Sequence, residues 1–169
     1  LGLAGLGLSL LFREAADADG TARSSELGGL RERFPVTLEA QLAPSPPIAA
    51  GVVACDAGAT AMVDVSDGLS LDATRMGAAS GVTMAFDSAR LLRSFGEQRG
   101  QAVTIHSMLT GGEDHGLLTT FPSGAELPIG FEAIGEVRDP RIDNVRVLLD
   151  NEPFEPRGWD PYGELPPGA

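Results

Sequence analysis

Cysteine is nearly absent. The one thiol in 169 residues, Cys55, excludes an internal disulfide, and its small or apolar neighbours predict a buried core thiol, consistent with a reducing cytosol. Histidine is as scarce: His106 and His115 have no Cys or His companion at zinc-like spacing, which argues against a zinc site. Bases are outnumbered, with 12 Lys and Arg against 24 acids and a formal net charge of -12. A field of that sign repels polyphosphates and anionic bilayers, so neither nucleic acid nor membrane is an expected partner, and a phosphate ligand would need cations between it and the protein. The opening LGLAGLGLSLLF is too short to span a bilayer, lacks a basic flank and runs into Arg13-Glu14, so it reads as neither a membrane span nor a signal peptide. The sequence holds no P-loop, no Rossmann glycine pattern and no G-x-S-x-G elbow. It also lacks an initiator Met and starts on Leu1-Gly2 directly before a helical pattern, which reads as a fragment of something longer.

What remains is the composition of a folded domain: 43% hydrophobic residues, 21% charged and a mean hydropathy near zero. The length suits one domain rather than two. Leu3, Leu6, Leu10 and Phe12 recur at helical spacing and predict a first helix ending near Asp17. A second helix is expected over 26–33, stopped ahead of Pro35. Ala43 to Pro47 reads as a rigid connector, followed by a short helix or turn over 48–57. Ala61-Met62-Val63 predicts a strand that enters the polar turn Asp64-Val65-Ser66-Asp67-Gly68, and residues 69–80 read as a helix terminated by Gly81. Further strands are expected over 82–86, 117–121, 131–137 and 145–149, with a helix over 89–98. The tail, 151–169, is rich in Pro and Gly, with Trp159 and Tyr162 as its large anchors. Strict βαβ alternation is missing, so the expected class is α+β, a mixed sheet flanked by helices.

Three stretches carry chemistry. In Asp64-Val65-Ser66-Asp67-Gly68, carboxylates at a strand exit offer the hard oxygen donors that Mg²⁺ takes beside phosphates; alternatively Ser66 and Asp67 simply cap the next helix. In Gly111-Gly112-Glu113-Asp114, glycines allow close backbone approach and the acids could meet a cation or a substrate; alternatively this is a solvated turn. Trp159, the sole tryptophan, could cover a flat heteroaromatic ligand or plug the tail onto the core.

The order and spacing of GATAMVDVSDGLSLDATRMGAASGV at 58–82, LTGGEDHGLLTTFP at 109–122, IGEV at 134–137 and GWD at 158–160 resemble the thiamine-monophosphate kinases of the AIR synthase-related, PurM-like superfamily. The resemblance runs over nearly the whole chain. It implies a PurM C-terminal-domain-like fold over 1–150, a tail over 151–169 packing on it, and an N-terminal ATP-binding domain that is absent here and through which the full enzyme dimerises. The implied activity is cytoplasmic, ATP- and Mg²⁺-dependent phosphorylation of thiamine monophosphate to thiamine diphosphate. Carried over residue by residue, Asp64 and Asp67 bind Mg²⁺, Ser66 contacts ATP, and Glu113 and Trp159 contact thiamine phosphate. His115-Gly116 departs from the family's usual Tyr-Glu, and no role is carried to those positions. Other ATP-dependent synthetases of the superfamily, or a non-catalytic binding module, are the competing readings. Alone, the chain should hold only part of a site.

Overall fold

The structure is a computed structural model that describes residues 1–140 and 145–160. Its first third is helical. Gly2 starts helix α1 (Leu3–Ala15) from a left-handed backbone, φ +83°, that favours glycine. After a 3₁₀ turn at Ser24–Glu26 come α2 (Leu27–Arg33) and α3 (Pro35–Leu42). Pro35 was expected only to end a helix; it also begins one, because at the first helical position its missing N–H is one that no intrahelical partner would satisfy. Helices α1 and α3 touch closely at Gly7, where an added Cβ would overlap the Thr37 carbonyl oxygen and lie 2.8 Å from the Gln41 Cβ. Ala15, Leu30 and Leu38 form a small core beneath the three helices.

Helix α4 (Ile48–Asp56) leads to strand β1 (Ala61–Val65), helix α5 (Leu69–Ser80), strand β2 (Thr83–Phe86) and helix α6 (Ser88–Phe95). Gly81 closes α5 in the left-handed conformation, as its position in the sequence suggested. A two-residue hairpin, β3 (Glu97–Gln98) with β4 (Gln101–Ala102), precedes α7 (Ile105–Thr110) and β5 (Gly116–Thr120). Strands β6 (Gly135–Arg138), β7 (Val147–Leu149) and β8 (Glu152–Pro153) complete the described chain.

The α+β class stands, with its strands divided among small sheets in the described residues. Strand β1 pairs antiparallel with β5, Asp64 opposite Leu117. The four-stranded sheet has the order β6-β2-β7-β8 and is mixed: β2 runs parallel to β7 and antiparallel to β6. Central strand β2 is buried along its whole length, and α5 packs between the two sheets, sharing one core with Val65, Leu69, Met76, Met84, Phe86, Met108, Leu118 and Val147.

Three expectations need correction. The helix expected over 89–98 ends at Phe95, because Glu97–Gln98 pair with β4 across a turn in which Arg99 and Gly100 take positive φ. Cys55 is exposed, not a core thiol: α4 buries Ala54 alone, and the next position is turned about 100° around the helix. The strand expected over 131–137 shrinks to Gly135–Arg138, because Phe131 lies in a turn closed by its amide on the Pro128 carbonyl and stacks edge-on against Phe121. Tyr162 and the rest of 161–169 lie outside the described residues.

The close approach at Gly7 and the open space around Gly28 predict opposite outcomes for the same substitution. Gly7→Ala should destabilise the chain by about 1–3 kcal/mol through overpacking, whereas Gly28→Ala on α2 should stabilise it by up to about 1 kcal/mol through helix propensity. Thermal unfolding followed by circular dichroism checks both.

Candidate functional site

Alternation along β1 sends Val65 into the core and leaves Asp64 exposed. Asp64 therefore belongs to the strand itself, not to the turn that follows. The chain then turns through Ser66 and Asp67 to Gly68, whose φ of +120° and contacts of 3.2–3.3 Å from a hypothetical Cβ to the Thr110 and Arg157 carbonyl oxygens exclude other residues. Gly68 is the N-cap of α5, and no side chain caps that helix. The reading of Ser66 and Asp67 as capping side chains is thus overturned. Glycine needs no side-chain oxygen to begin a helix, and the turn is held by other means.

Those means come from within the helix. The carboxylate of Asp72, a residue only 2% exposed, accepts the amide N–H of Ser66 at 3.1 Å and of Asp67 at 3.0 Å through Oδ2. Its Oδ1 receives Arg75 Nη1 at 2.8 Å, and the same Nη1 contacts Oδ2 of Asp67. Burial pushes the Asp72 carboxyl above the usual carboxylate range; the Asp67 amide bond and the Arg75 charge act against that rise. Hydrogen bonding to Asp67, the largest influence, raises the already high pKa of Arg75, so its charge is permanent.

The second stretch meets the first through backbone. Glu113 N–H donates to the Ser66 carbonyl at 2.7 Å, and His115 N–H to the Val65 carbonyl at 2.8 Å, which carries the β1–β5 ladder past the end of the strands. Gly112 is required by this approach, since a Cβ there would lie 2.8 Å from the Ser66 carbonyl oxygen. Glu113 and His115 both take left-handed backbone, φ +66° and +50°, and between them the side chain of Asp114 reaches the start of α1. Glu113 is half-exposed and its Oε2 lies 3.0 Å from His115 Nε2. Asp114 instead accepts the amides of Gly2 and, at 3.3 Å, Ala4, and so satisfies the start of α1 from 110 residues away. Burial raises its carboxyl pKa, opposed by the adjacent N-terminal ammonium and the two amides. The two acids therefore divide: Asp114 builds the fold, and Glu113 remains available.

The third stretch joins the same turn. Trp159 N–H donates to the Asp67 carbonyl at 2.9 Å, Ser70 Oγ donates to the Arg157 carbonyl at 2.9 Å, and the Arg157 amide reaches Ser70 Oγ at 3.1 Å. Backbone thus moors this segment. The indole is 69% exposed, which overturns the reading of Trp159 as a hydrophobic plug.

Asp64, Ser66, Asp67, Glu113 and Trp159 are in this way gathered on or against a single turn. Asp72, Arg75 and Ser70 were missed by sequence reasoning; the signal for the first two was an acid and a base three apart at the start of α5. Asp114, read from the sequence as a contact for a cation or a substrate, instead holds the start of α1. Among the described residues no group of three or more His, Cys, Asp or Glu could hold a metal ion.

No family model matches the sequence. The chain is 35% identical over 139 residues to the thiamine-monophosphate kinase of Mycobacterium tuberculosis, across 79% of this chain and 40% of that protein. It is 37% identical over 115 residues to the enzyme of the same name from Corynebacterium glutamicum, across 64% and 34%. Among solved structures it resembles AaThiL complexed with AMPPCP and TMP, with a TM-score of 0.67 at 30% identity over 94% of this chain and 48% of that one. The thiamine-monophosphate kinase of Stenotrophomonas maltophilia K279a gives a TM-score of 0.62 at 26% identity over 91% and 48%. The chain spans 33–40% of the length of the curated relatives it matches.

Gly158 supplies a test of how the third stretch is attached, since an added Cβ would overlap the Asp67 carbonyl oxygen and lie 2.9 Å from Leu71 Cδ1. Gly158→Ala should detach the Trp159 backbone while leaving the core intact. The expected result is a lower fluorescence anisotropy for the sole tryptophan with a melting temperature within a few degrees of the parent.

Proposed function

As a homologue of the thiamine-monophosphate kinases over their C-terminal part, this chain, we propose, carries one side of an active site that transfers the γ-phosphoryl group of ATP to thiamine monophosphate, forming thiamine diphosphate and ADP. The observation that carries the proposal is the convergence of three separated stretches on the end of β1 and the turn at Ser66–Gly68 through backbone hydrogen bonds. A relative of similar fold has been solved with AMPPCP and TMP bound, which supports a site for a nucleotide and a thiamine phosphate.

In the reaction, an oxygen of the thiamine phosphate attacks the γ-phosphorus while the bond from that phosphorus to the β-phosphate oxygen breaks. A phosphate monoester with a second pKa near 6 is mostly dianionic at neutral pH, so no strong base is needed. The obstacle is repulsion between two polyanions, and catalysis consists of aligning them and compensating charge. A protein of net charge -12 cannot do this with its own field.

Asp64 and Asp67 would hold Mg²⁺. Their donors are hard oxygens, two in number, which fits an ion that commonly takes one or two carboxylates and completes its octahedron with water and phosphate. The guanidinium against Asp67 is a stand-in positive charge already accommodated there. When bound, the metal supplies charge neutralisation to the transferring phosphoryl group. Ser66, beside them, offers its hydroxyl to the nucleotide. Glu113 presents a carboxylate to a ligand that bears a cationic thiazolium, and Trp159 presents an exposed indole face on which the heteroaromatic rings stack.

The remaining ligands of the nucleotide and metal would come from the part of the relatives that this chain does not span, which we take to mediate dimerisation as well. No helix among the described residues is long and apolar enough to cross a membrane.

The purified chain should show no turnover of ATP with thiamine phosphate, since the two bound substrates lose their effective molarity when half the site is missing. In a protein that includes the upstream part, Asp64→Asn and Asp67→Asn should each lower kcat by on the order of a hundredfold or more. Near wild-type rates for both at limiting Mg²⁺ would remove the carboxylates from the mechanism. Trp159→Ala should raise KM for thiamine phosphate by up to about thirtyfold, with little change in melting temperature because the indole is exposed. A large loss of stability with unchanged KM would refute the stacking role.

A further inference from the structure

The Arg75 guanidinium stands among three carboxylates that differ in exposure. Its Nη1 lies 2.8 Å from Asp72 Oδ1 and contacts Asp67 Oδ2, and its Nη2 lies 3.8 Å from Asp160 Oδ1. Asp72 is buried and fixed by the two amides it accepts. Asp67 is partly exposed, and Asp160 is about half exposed and adjoins Trp159.

We propose that Arg75 is a positioning residue that ties the cation end of the site to its aromatic end: it serves as resident counter-ion of Asp67, leaves it when a divalent cation takes that carboxylate, and closes on Asp160, drawing in the segment that bears Trp159. This rests on the reading of Asp67 as a cation ligand. A divalent ion and a guanidinium on one carboxylate repel each other, so occupancy by one weakens the hold of the other. Asp72 keeps the guanidinium from leaving altogether, since a buried carboxylate stripped of its partner is costly. Within that tether Asp160 is the other acceptor in reach, and about 1 Å of movement converts a 3.8 Å approach into a charge-assisted hydrogen bond. The Trp159 amide is already bonded to the Asp67 carbonyl, so a small displacement at Asp160 is passed to the indole of its neighbour.

The test uses the 169-residue chain, with Mn²⁺ as a paramagnetic probe of the Ser66 and Asp67 amide signals and Mg²⁺-dependent fluorescence anisotropy of the sole tryptophan. In the parent chain, Mn²⁺ should broaden both amide signals and Mg²⁺ should raise the anisotropy. Arg75→Gln should lower the Mn²⁺ concentration for half-broadening at least threefold, by freeing Asp67, and abolish the anisotropy response. Asp160→Asn should abolish the anisotropy response while Mn²⁺ still broadens Asp67. Should Arg75→Gln not fold, Arg75→Lys keeps one charged nitrogen for Asp72 and Asp67 but has no second one for Asp160, so it should abolish the anisotropy response while leaving the Mn²⁺ response near that of the parent. An Mn²⁺ response unchanged or weakened in Arg75→Gln, or an anisotropy response that survives in either Arg75 variant, overturns the proposal alone. If Mn²⁺ broadens neither amide in any variant, the reading of Asp67 as a cation ligand falls, and the proposal with it.

Discussion

The arrangement of the candidate site depends on one buried carboxylate. Asp72 receives two amides from the turn that precedes its own helix and one guanidinium from the turn of helix that follows it. A carboxylate in that position is expensive to bury, and the raised pKa reflects this cost; what offsets it is that every acceptor direction in use meets a donor. The same contacts fix the path of the chain through Ser66 and Asp67, because their N–H groups would otherwise be unpaired beside the core. With that path fixed, the Ser66 and Asp67 carbonyls become the acceptors to which the Glu113 and Trp159 amides attach. Charge inside α5 thus determines where two distant loops settle.

Backbone geometry does the rest. The glycines at 68, 112 and 158 each sit where a Cβ would meet a carbonyl oxygen of a neighbouring segment, so the three stretches approach one another more closely than side chains would permit. Asp114 extends the connection to α1, accepting two of the amides that a helix start leaves without partners. The loop that presents Glu113 is therefore anchored on both sides, by Ser66 and Val65 on one and by the first helix on the other.

Much of this was legible in the sequence, and the failures have physical causes. Helix α5 was readable from its apolar spacing and from Gly81, and β1 from its run of apolar residues. The candidate site residues came from motifs, and the structure brings their stretches together, yet what each does for the fold was not legible. Asp67 looked like a helix cap because acids often are; the true cap is Gly68, and the stabilising carboxylate lies five residues further on, where a local pattern gives no sign that it folds back. Helix α7 was missed because six residues show too little periodicity, although Thr104 caps it through the Ser107 amide. The burial of Cys55 was inferred from its neighbours' chemistry, whereas burial is decided by which side of a short helix has a partner.

Attachment through backbone has a consequence for how such a site can vary. Ser66, Glu113, His115 and Trp159 all hold their segments together with main-chain atoms, so their side chains can change without releasing the loops. Position 115 illustrates this: the fold asks of it an amide aimed at the Val65 carbonyl and a left-handed backbone, and neither demand specifies an imidazole. A departure from the family's usual residues at His115-Gly116 is accordingly compatible with an intact Glu113 loop. Asp72 and Arg75 are the opposite case, since each acts through its side chain on a partner whose position the others inherit. The candidate site side chains of Ser66, Glu113 and Trp159 are thus separable from the fold here, and the side chains that position their segments are not.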